Sequence, residues 1–159
     1  MFNHAPESYD CPFCALVAGI THKGLRTIPD DIVYRNDTVV AFVASHWWKN
    51  NPGHVLVIPR EHFENLYDLP DDVGASISAT ARLIAIAIKR AYGCHGISTR
   101  QHNEPAGNQE VWHYHVHVFP RYEGDELYAA NDQKYLTTAE QRRPYVKKLL
   151  EVLGADQIE

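Results

Sequence analysis

The 159 residues, with three cysteines and no secretion signal, fit one domain that folds without disulfide bonds. The net charge of −5 argues against duplex nucleic acid as a partner, because a duplex binder needs a basic stripe, whereas a small phosphate ligand needs only local donors. No stretch approaches the ~20 apolar residues of a membrane span and the polar N-terminus lacks a signal core, so we expect a cytoplasmic protein with no membrane partner.

The first sixty residues predict several short elements. They comprise a loose arm at residues 1–10, a short helix at 12–19, strands at 32–36 and 38–44, a loop at 45–53 and a buried strand at 54–59. The two early strands are rich in β-branched residues, and Pro59 closes the third.

The rest of the chain contains the longest predicted element. Residues 71–91 form the clearest helix, because Ile77, Ile84 and Ile88 recur at helical spacing. Strands at 96–102 and 111–119 flank a loop, and Pro120 ends the second strand. A last helix runs from about Thr137 or Thr138 to Leu153. Its solvent-facing side is expected to carry Arg142, Arg143, Lys147 and Lys148. Strands grouped around one long helix indicate an α+β fold with an antiparallel sheet.

Three histidines alternate with other residues in the segment from His113 to His117. Successive side chains of a strand point to opposite faces, so His113, His115 and His117 share one face and lie roughly 7 Å apart. A lone histidine is usually structural, but three in strict alternation opposite an apolar face indicate a site. Two chemistries fit: an all-histidine metal centre with an open coordination position, or a neutral imidazole that attacks phosphorus.

A nucleophilic histidine needs supporting groups that the neighbouring sequence can supply. An acceptor must hold its far nitrogen, donors must surround the phosphate oxygens, and the leaving group needs an acid. His117 can donate to a phosphate oxygen or to the leaving atom. Gln109 can donate an amide N–H, and backbone amides around Gly107 and Asn108 can add further donors.

These motifs resemble the histidine-triad (HIT) family. The segment HYHVHVF matches the family signature, and CPFCALVAG, PGHVLVIPREHFENL and AGNQEVWHYHVHVFPR resemble further family segments in the expected order. The resemblance implies a HIT-like α+β fold, with one long helix and shorter N- and C-terminal helices on an antiparallel sheet, and a homodimer. The expected divisions are an arm at 1–10, the HIT domain at 11–125, and a C-terminal extension at 126–159 whose helix packs on the domain.

The resemblance also implies residue roles. His115 is the nucleophile that forms a nucleotidyl-histidine, which water or another phosphate then resolves. His117 lies beside the phosphate, Gln109 contacts the leaving side and His54 supports the site. Substrate contacts are expected from Asn103, Gly107 and Asn108. The implied function is a nucleotide hydrolase or nucleotidyltransferase that releases a nucleoside monophosphate, AMP in particular, from phosphoramidates or dinucleoside polyphosphates.

Several positions depart from the family pattern. Ala44 stands where most members have an Asp for the ribose, Asn108 looks inserted, and Glu110 stands where a Ser or Thr often donates to phosphate. Trp47 or Trp48 either stacks on a base or packs in a core or dimer contact. The departures leave an alternative function open, namely a zinc-containing nucleotide-binding module with weak or no catalysis.

A second site is predicted near the N-terminus. The spacing of Cys11 and Cys14 lets both thiolates reach one metal ion. The resemblance, which here includes the galactose-1-phosphate uridylyltransferases, implies His62 and His113 as the other ligands. A closed Cys2His2 site has no open position, so we expect a structural zinc and no organic cofactor. The alternative is two unlinked buried cysteines.

Overall fold

The computed structural model describes residues 2–129 and 133–154. Its α-helices are α1 (Pro12–Val17), α2 (Asp71–Tyr92) and α3 (Ala139–Leu153). Its strands are β1 (Ile32–Arg35), β2 (Val39–Val43), β3 (His46–Trp48), β4 (Val55–Pro59), β5 (Gly96–Gln101), β6 (Val116–Arg121) and β7 (Lys134–Leu136). Among the described residues, none of the helices combines the length and apolar character needed to cross a bilayer.

Five strands form one antiparallel sheet in the order β1-β2-β4-β6-β5. Helices α2 and α3 cover one face, where Val57 and Val118 pack with Ile84, Ile88 and Leu149. On the opposite face, helix α1 contributes to a second cluster built from Phe13, Leu16, Phe42, Leu56 and Ile58. Both faces are therefore covered, which explains the uninterrupted burial of β2 and β4. The predicted α+β fold with an antiparallel sheet and one long helix is confirmed.

The strand that carries the histidines is shorter than the sequence predicts. It begins at Val116 instead of Val111, because the backbone bends at His113. The N–H of Tyr114 then donates to the Phe63 carbonyl at 2.6 Å and not to a neighbouring strand. Pro120 does not end it, since the strand continues to Arg121. Alternation of the side chains survives: Tyr114, Val116 and Val118 face α2.

The N-terminal arm is anchored within residues 2–10, against the expectation of a loose segment. The carboxylate of Glu64 accepts hydrogen bonds from the backbone N–H groups of His4 and Ala5. The Asn65 amide donates to the Phe2 carbonyl at 3.2 Å. The turn that carries His62 is thereby tied to the N-terminus.

The C-terminal segment is joined to the fold through polar and apolar contacts. Strand β7 pairs with β3, which the sequence suggested to be part of a loop. Gly53 has a φ of 79°, and a Cβ atom there would overlap the ring of Tyr145 on α3. The structure describes this segment except for residues 130–132 and 155–159.

Arg142 contradicts the expected solvent-facing run on α3. It is 1% exposed and forms an ion pair with Asp31, which is also buried, through Nε and Nη2 at 2.9 and 2.8 Å. Its remaining donors reach the carbonyls of Thr137 and Arg26. The residue is buried because these four acceptors satisfy its donors. This cluster fixes the segment before β1, from which Arg26 and Thr27 line the cavity beside the histidine segment.

Candidate functional site

A cavity of about 650 Å³ lies beside the histidine segment. His115 and His117 line it, together with His54 and Asn108. The apolar side chains of Phe13, Phe42, Leu25 and Leu56 also line it, as do Trp48, Arg100, Phe119 and Tyr128. The cavity therefore offers both apolar and polar walls, as small-molecule sites usually do.

His115 has the geometry of a neutral nucleophile. Its Nδ1 lies 2.7 Å from the backbone carbonyl oxygen of His113, and because a carbonyl only accepts, Nδ1 carries the proton. Nε2 keeps its lone pair. The side chain is 5% exposed, and burial lowers its pKa below the ordinary value of 6.5. The ring of Phe13 packs edge-on at 5.5 Å and fixes the imidazole plane.

His117 and His54 form a second pair of imidazoles. His117 Nδ1 and His54 Nε2 are 3.4 Å apart, so one ring donates to the other. Burial is the main cause that lowers the pKa of His54 to about 3 and the pKa of His117 well below 6.5. The His117 ring also stacks on Phe119 at 5.4 Å. Two neutral rings are therefore held in fixed orientations, and the ring centroid of His117 lies 5.0 Å from that of His115.

Three predicted site residues lie away from the cavity lining. The Gln109 amide is buried and donates to the carbonyls of Glu64, at 2.6 Å, and Val111, at 3.0 Å, while its oxygen accepts from the Glu104 N–H. Asn103 accepts from the Leu66 N–H. The structure thus uses Gln109 and Asn103 to shape the loop.

The third of these residues, Gly107, supports a histidine that sequence analysis assigned no role. The Gly107 carbonyl accepts from Nδ1 of His102 at 2.6 Å, so His102 keeps a free Nε2. His102 lines the cavity, and its ring lies 6.1 Å from that of His117. Of the predicted loop contacts, Asn108 lines the cavity, with a left-handed φ of 68°.

Arg100 was also missed by sequence analysis. It lies on β5 directly opposite His117 on β6. The only signal available in the sequence was that cross-strand relationship, which depends on a strand register that a single sequence does not reveal.

The positions that depart from the family pattern occupy distinct surroundings. Ala44 is buried on the cavity wall. Trp47 packs in the main core against Tyr145, at 4.7 Å between ring centroids, whereas Trp48 lines the cavity. The exposed carboxylate of Glu110 forms an ion pair with Lys134 at 3.1 Å, which reduces its repulsion toward a phosphate.

Four potential metal ligands meet at the N-terminal end of the histidine segment. The ligand atoms of Cys11, Cys14, His62 and His113 all lie within 4.8 Å of one another. Cys11 Sγ is 3.4 Å from Nδ1 of His113, and Cys14 Sγ is 3.4 Å from Nδ1 of His62. Within residues 2–129 and 133–154, no such group includes His115 or His117.

The chemistry of these four side chains fits a tetrahedral metal ion. His113 Nε2 donates to the Pro59 carbonyl at 3.0 Å, so its Nδ1 presents a lone pair toward the two thiols. Burial raises the pKa of the Cys14 thiol to about 12. A bound cation reverses that preference, because thiolate is the ligand form. Two sulfur and two nitrogen donors are a common set for a closed metal site.

Comparisons with known proteins agree with this geometry. A family model described as HIT domain matches residues 26–124. An uncharacterised HIT-like protein of Saccharolobus solfataricus is 36% identical over 115 residues, which cover 72% of this chain and 76% of that protein. An adenylylsulfatase of Arabidopsis thaliana is 30% identical over 121 residues, which cover 76% of this chain and 57% of that protein.

Solved structures match the fold over almost the whole chain. A Hit-like protein from Bartonella henselae, described as involved in cell-cycle regulation, superposes with a TM-score of 0.75 at 31% identity, covering 93% of this chain and 100% of that one. A Zn-bound histidine-triad protein from Mycobacterium smegmatis gives a TM-score of 0.72 at 25% identity, covering 94% and 98%. The chain belongs to the HIT family, as its motifs predict.

Proposed function

We propose that this protein is a nucleotide hydrolase or nucleotidyltransferase that releases a nucleoside monophosphate, AMP in particular, from phosphoramidates or dinucleoside polyphosphates. The observation that carries this proposal is the hydrogen bond from His115 Nδ1 to the His113 carbonyl, which leaves Nε2 free on the wall of the cavity. An imidazole fixed in this tautomer by a backbone acceptor is a nucleophile at neutral pH.

The proposed reaction has two displacement steps at phosphorus. In the first, His115 Nε2 forms a bond to the α-phosphorus, and the bond from that phosphorus to the leaving oxygen or nitrogen breaks. An amine leaving group takes up a proton that enters from solvent, for which the pair of His117 and His54 is the nearest candidate relay. In the second, water or another phosphate attacks the same phosphorus, the phosphorus–nitrogen bond breaks, and the monophosphate or the transferred nucleotide leaves. An attacking water gives up one proton, which returns to solvent through the same pair of histidines.

The charge of the cavity supports an anionic substrate. The chain as a whole carries −5, yet four cations line the cavity, namely Lys23, Arg26, Arg100 and Lys134. Glu110 is the single carboxylate among the described lining residues, and Lys134 pairs with it. A positive cleft in an acidic protein raises the local concentration of phosphates.

One polar side chain of the cavity lining is a candidate for holding the nucleoside in the absence of an Asp at Ala44. Thr27 lines the cavity, and its hydroxyl is buried without a hydrogen-bond partner among the described residues. Phe13 and Phe42, whose ring centroids lie 5.5 Å apart, supply an apolar wall of the same cavity. We propose that the base packs on this wall and that Thr27 hydrogen-bonds to the ribose hydroxyls. Asn108 donates a hydrogen bond to the phosphate. Gln109, Asn103 and Gly107 act as positioning residues for the loop.

We further propose that Cys11, Cys14, His62 and His113 hold a structural zinc ion. The ion would cross-link helix α1 and the His62 turn to the segment that enters β6. The cysteines are free thiols, which suits the reducing cytoplasm. The zinc would add stability and fix His113, whose carbonyl orients His115.

A homodimer is the proposed assembly. Strand β5 is an edge of the five-stranded sheet and offers backbone groups to a second copy. Light scattering of the purified protein tests this directly: a mass of about twice the 18.1 kDa chain supports the dimer, and a concentration-independent monomer contradicts it.

Turnover of a substrate panel tests the proposed function. Adenosine and guanosine phosphoramidates, a lysyl adenylate amidate, and diadenosine tri- and tetraphosphate would be compared by chromatography of the released nucleotides. Release of monophosphate by the wild type, and none by the His115→Ala variant, is the expected result. Tight nucleotide binding with no product over hours would instead support the nucleotide-binding module.

A further inference from the structure

Unpaired donors collect around Phe119, on which the ring of His117 stacks. Nε and Nη2 of Arg100 and Nε1 of Trp48 are all buried and have no hydrogen-bond partner within the described residues. Both residues line the cavity, and Trp48 is 6% exposed. The N–H groups of arginine and tryptophan only donate, so only an acceptor can satisfy them. Buried donors without partners are costly, which points to a ligand that supplies the acceptor.

Aromatic rings hold the Arg100 guanidinium in place. Its central carbon lies 5.0 Å from the ring centroid of Phe119, 4.5 Å from that of Tyr128 and 5.7 Å from that of Trp48. Cation–π contacts fix the plane of the guanidinium while leaving its N–H edge for hydrogen bonding. No carboxylate forms an ion pair with Arg100 in the part of the chain that the structure describes.

The order of rings along the cavity assigns Arg100 to one side of the reaction. Phe13 packs against His115 at 5.5 Å, and His115 lies 5.0 Å from His117. His117 stacks on Phe119, over which Arg100 lies. In-line displacement places the leaving group opposite the attacking Nε2 of His115 and leaves the nucleoside to the side of that line. With the nucleoside on the Phe13 side, the side that remains for the leaving group is that of His117 and Arg100.

We propose that Arg100 and Trp48 form a subsite for an anionic leaving group, a tetrahedral oxyanion attached to the scissile phosphate. The inference rests on the proposed function and narrows its substrate class to nucleotide anhydrides over phosphoramidates. The planar fork of Arg100 matches two oxygens of a phosphate or sulfate group, and Trp48 Nε1 supplies a third donor. An amine leaving group has no oxygens for these donors.

Substitution of Arg100 tests the subsite through a ratio of substrates. Diadenosine triphosphate releases ADP, whose terminal phosphate is the leaving oxyanion, adenylyl sulfate releases sulfate, and adenosine phosphoramidate releases ammonia. In Arg100→Met, the kcat/KM for either anhydride divided by that for the phosphoramidate is expected to fall about 100-fold. The anhydride with the larger loss identifies which oxyanion the subsite prefers. Arg100→Lys keeps the charge but loses the fork, so it should restore only part of the ratio.

Matched variants and a binding measurement separate the subsite from other effects. Trp48→Phe keeps the ring and removes one N–H, and should lower the ratio about 10-fold. Arg60→Met removes an exposed arginine outside the cavity lining and should leave the ratio unchanged. Calorimetric binding of inorganic pyrophosphate, lost in Arg100→Met, reports the subsite without any turnover.

Two results would overturn the subsite. One is an equal loss of kcat/KM on all three substrates in Arg100→Met, with or without a change in the oligomeric state measured by light scattering. The other is pyrophosphate binding that Arg100→Met leaves intact. Failure of the wild type to turn over any substrate would instead contradict the proposed function, while the pyrophosphate measurement still decides whether the subsite exists.

Discussion

The backbone carbonyl of His113 connects the candidate metal cluster to the candidate nucleophile. It accepts a hydrogen bond from His115 Nδ1 at 2.7 Å, while the His113 side chain presents Nδ1 to Cys11 Sγ at 3.4 Å. One residue thus belongs to both sites. Whatever fixes the His113 ring also fixes the acceptor that sets the tautomer of His115.

Removing one thiol should release the metal and lower stability. In Cys14→Ser we expect loss of about one zinc ion per chain, measured by plasma mass spectrometry. A metal present at 100 times its Kd stabilises by about 2.7 kcal/mol, so Tm should fall by roughly 8 °C. Cys94→Ser is the matched control, because Cys94 is a buried thiol outside the cluster. Metal retained by Cys14→Ser but lost by His115→Ala would point to a different centre.

The buried ion pair of Arg142 and Asp31 should contribute strongly to stability. Arg142→Ala removes the cation and leaves a buried carboxylate unpaired, which costs about 3–5 kcal/mol. Urea unfolding measures the loss. Arg143→Ala, one position along the same helix and exposed, should change the free energy of unfolding by less than about 0.5 kcal/mol. Similar small effects for both variants would show that the pair is not formed in solution.

Asp125 should make stability fall in acid. Its carboxylate accepts from Arg121 Nε at 2.7 Å and from the N–H groups of Tyr122 and Leu127. The Arg121 guanidinium, chiefly, holds the pKa of Asp125 well below its usual range. A depressed pKa stabilises the fold fully above the unfolded value of about 3.9, and this stability is lost as the pH falls through the folded pKa.

The Asp125→Asn variant separates the contribution of this carboxylate from the destabilisation that acid causes through other groups. At pH 7, Asp125→Asn should lose about 2 kcal/mol, and its difference from the wild type should shrink as the pH falls below about 4. Thermal unfolding between pH 2 and 7 measures both curves. Glu123→Gln, an exposed neighbour, is the control. A difference that stays constant across this range would contradict the assignment.

The buried histidines should preserve activity in mildly acidic solution. Burial lowers the pKa of His54 to about 3 and that of His117 well below 6.5. His54 therefore stays neutral at pH 5.5, where a histidine with a pKa of 6.5 would be about 90% protonated, and His117 is protonated less than such a histidine. Burial also lowers the pKa of His115, the nucleophile. We therefore expect the acidic limb of kcat/KM, after subtraction of the His115→Ala rate, to lie below pH 6.5. An acidic limb centred near pH 6.5 would be incompatible with this pairing.

Much of the fold followed from local patterns. Helical spacing in residues 71–91 predicted α2, and alternation in the histidine segment predicted that the side chains between the histidines belong to the core. Cys11, Cys14, His62 and His113 were grouped through the family resemblance, and the structure brings their ligand atoms together. These features depend on spacing or on motifs that one sequence displays.

Long-range contacts could not be predicted in the same way. The partner of Arg142 is Asp31, 111 residues earlier, so the sequence alone made the arginine look like a surface residue. Strand β3 exists because it pairs with β7, almost ninety positions later. Gln109 turned inward because carbonyls of the folded loop and the distant Glu64 capture its amide. Each outcome depends on tertiary partners rather than on local propensity.

Trapping the covalent intermediate tests the nucleophilic role of His115 most directly. The wild type would be mixed with diadenosine triphosphate, quenched during turnover and analysed by intact-protein and peptide mass spectrometry. The predicted result is a single adenylyl group on the peptide that contains His115, with no adduct and at least a ~10³-fold lower rate in His115→Ala. An adduct on another residue, or full turnover by His115→Ala, would contradict the account.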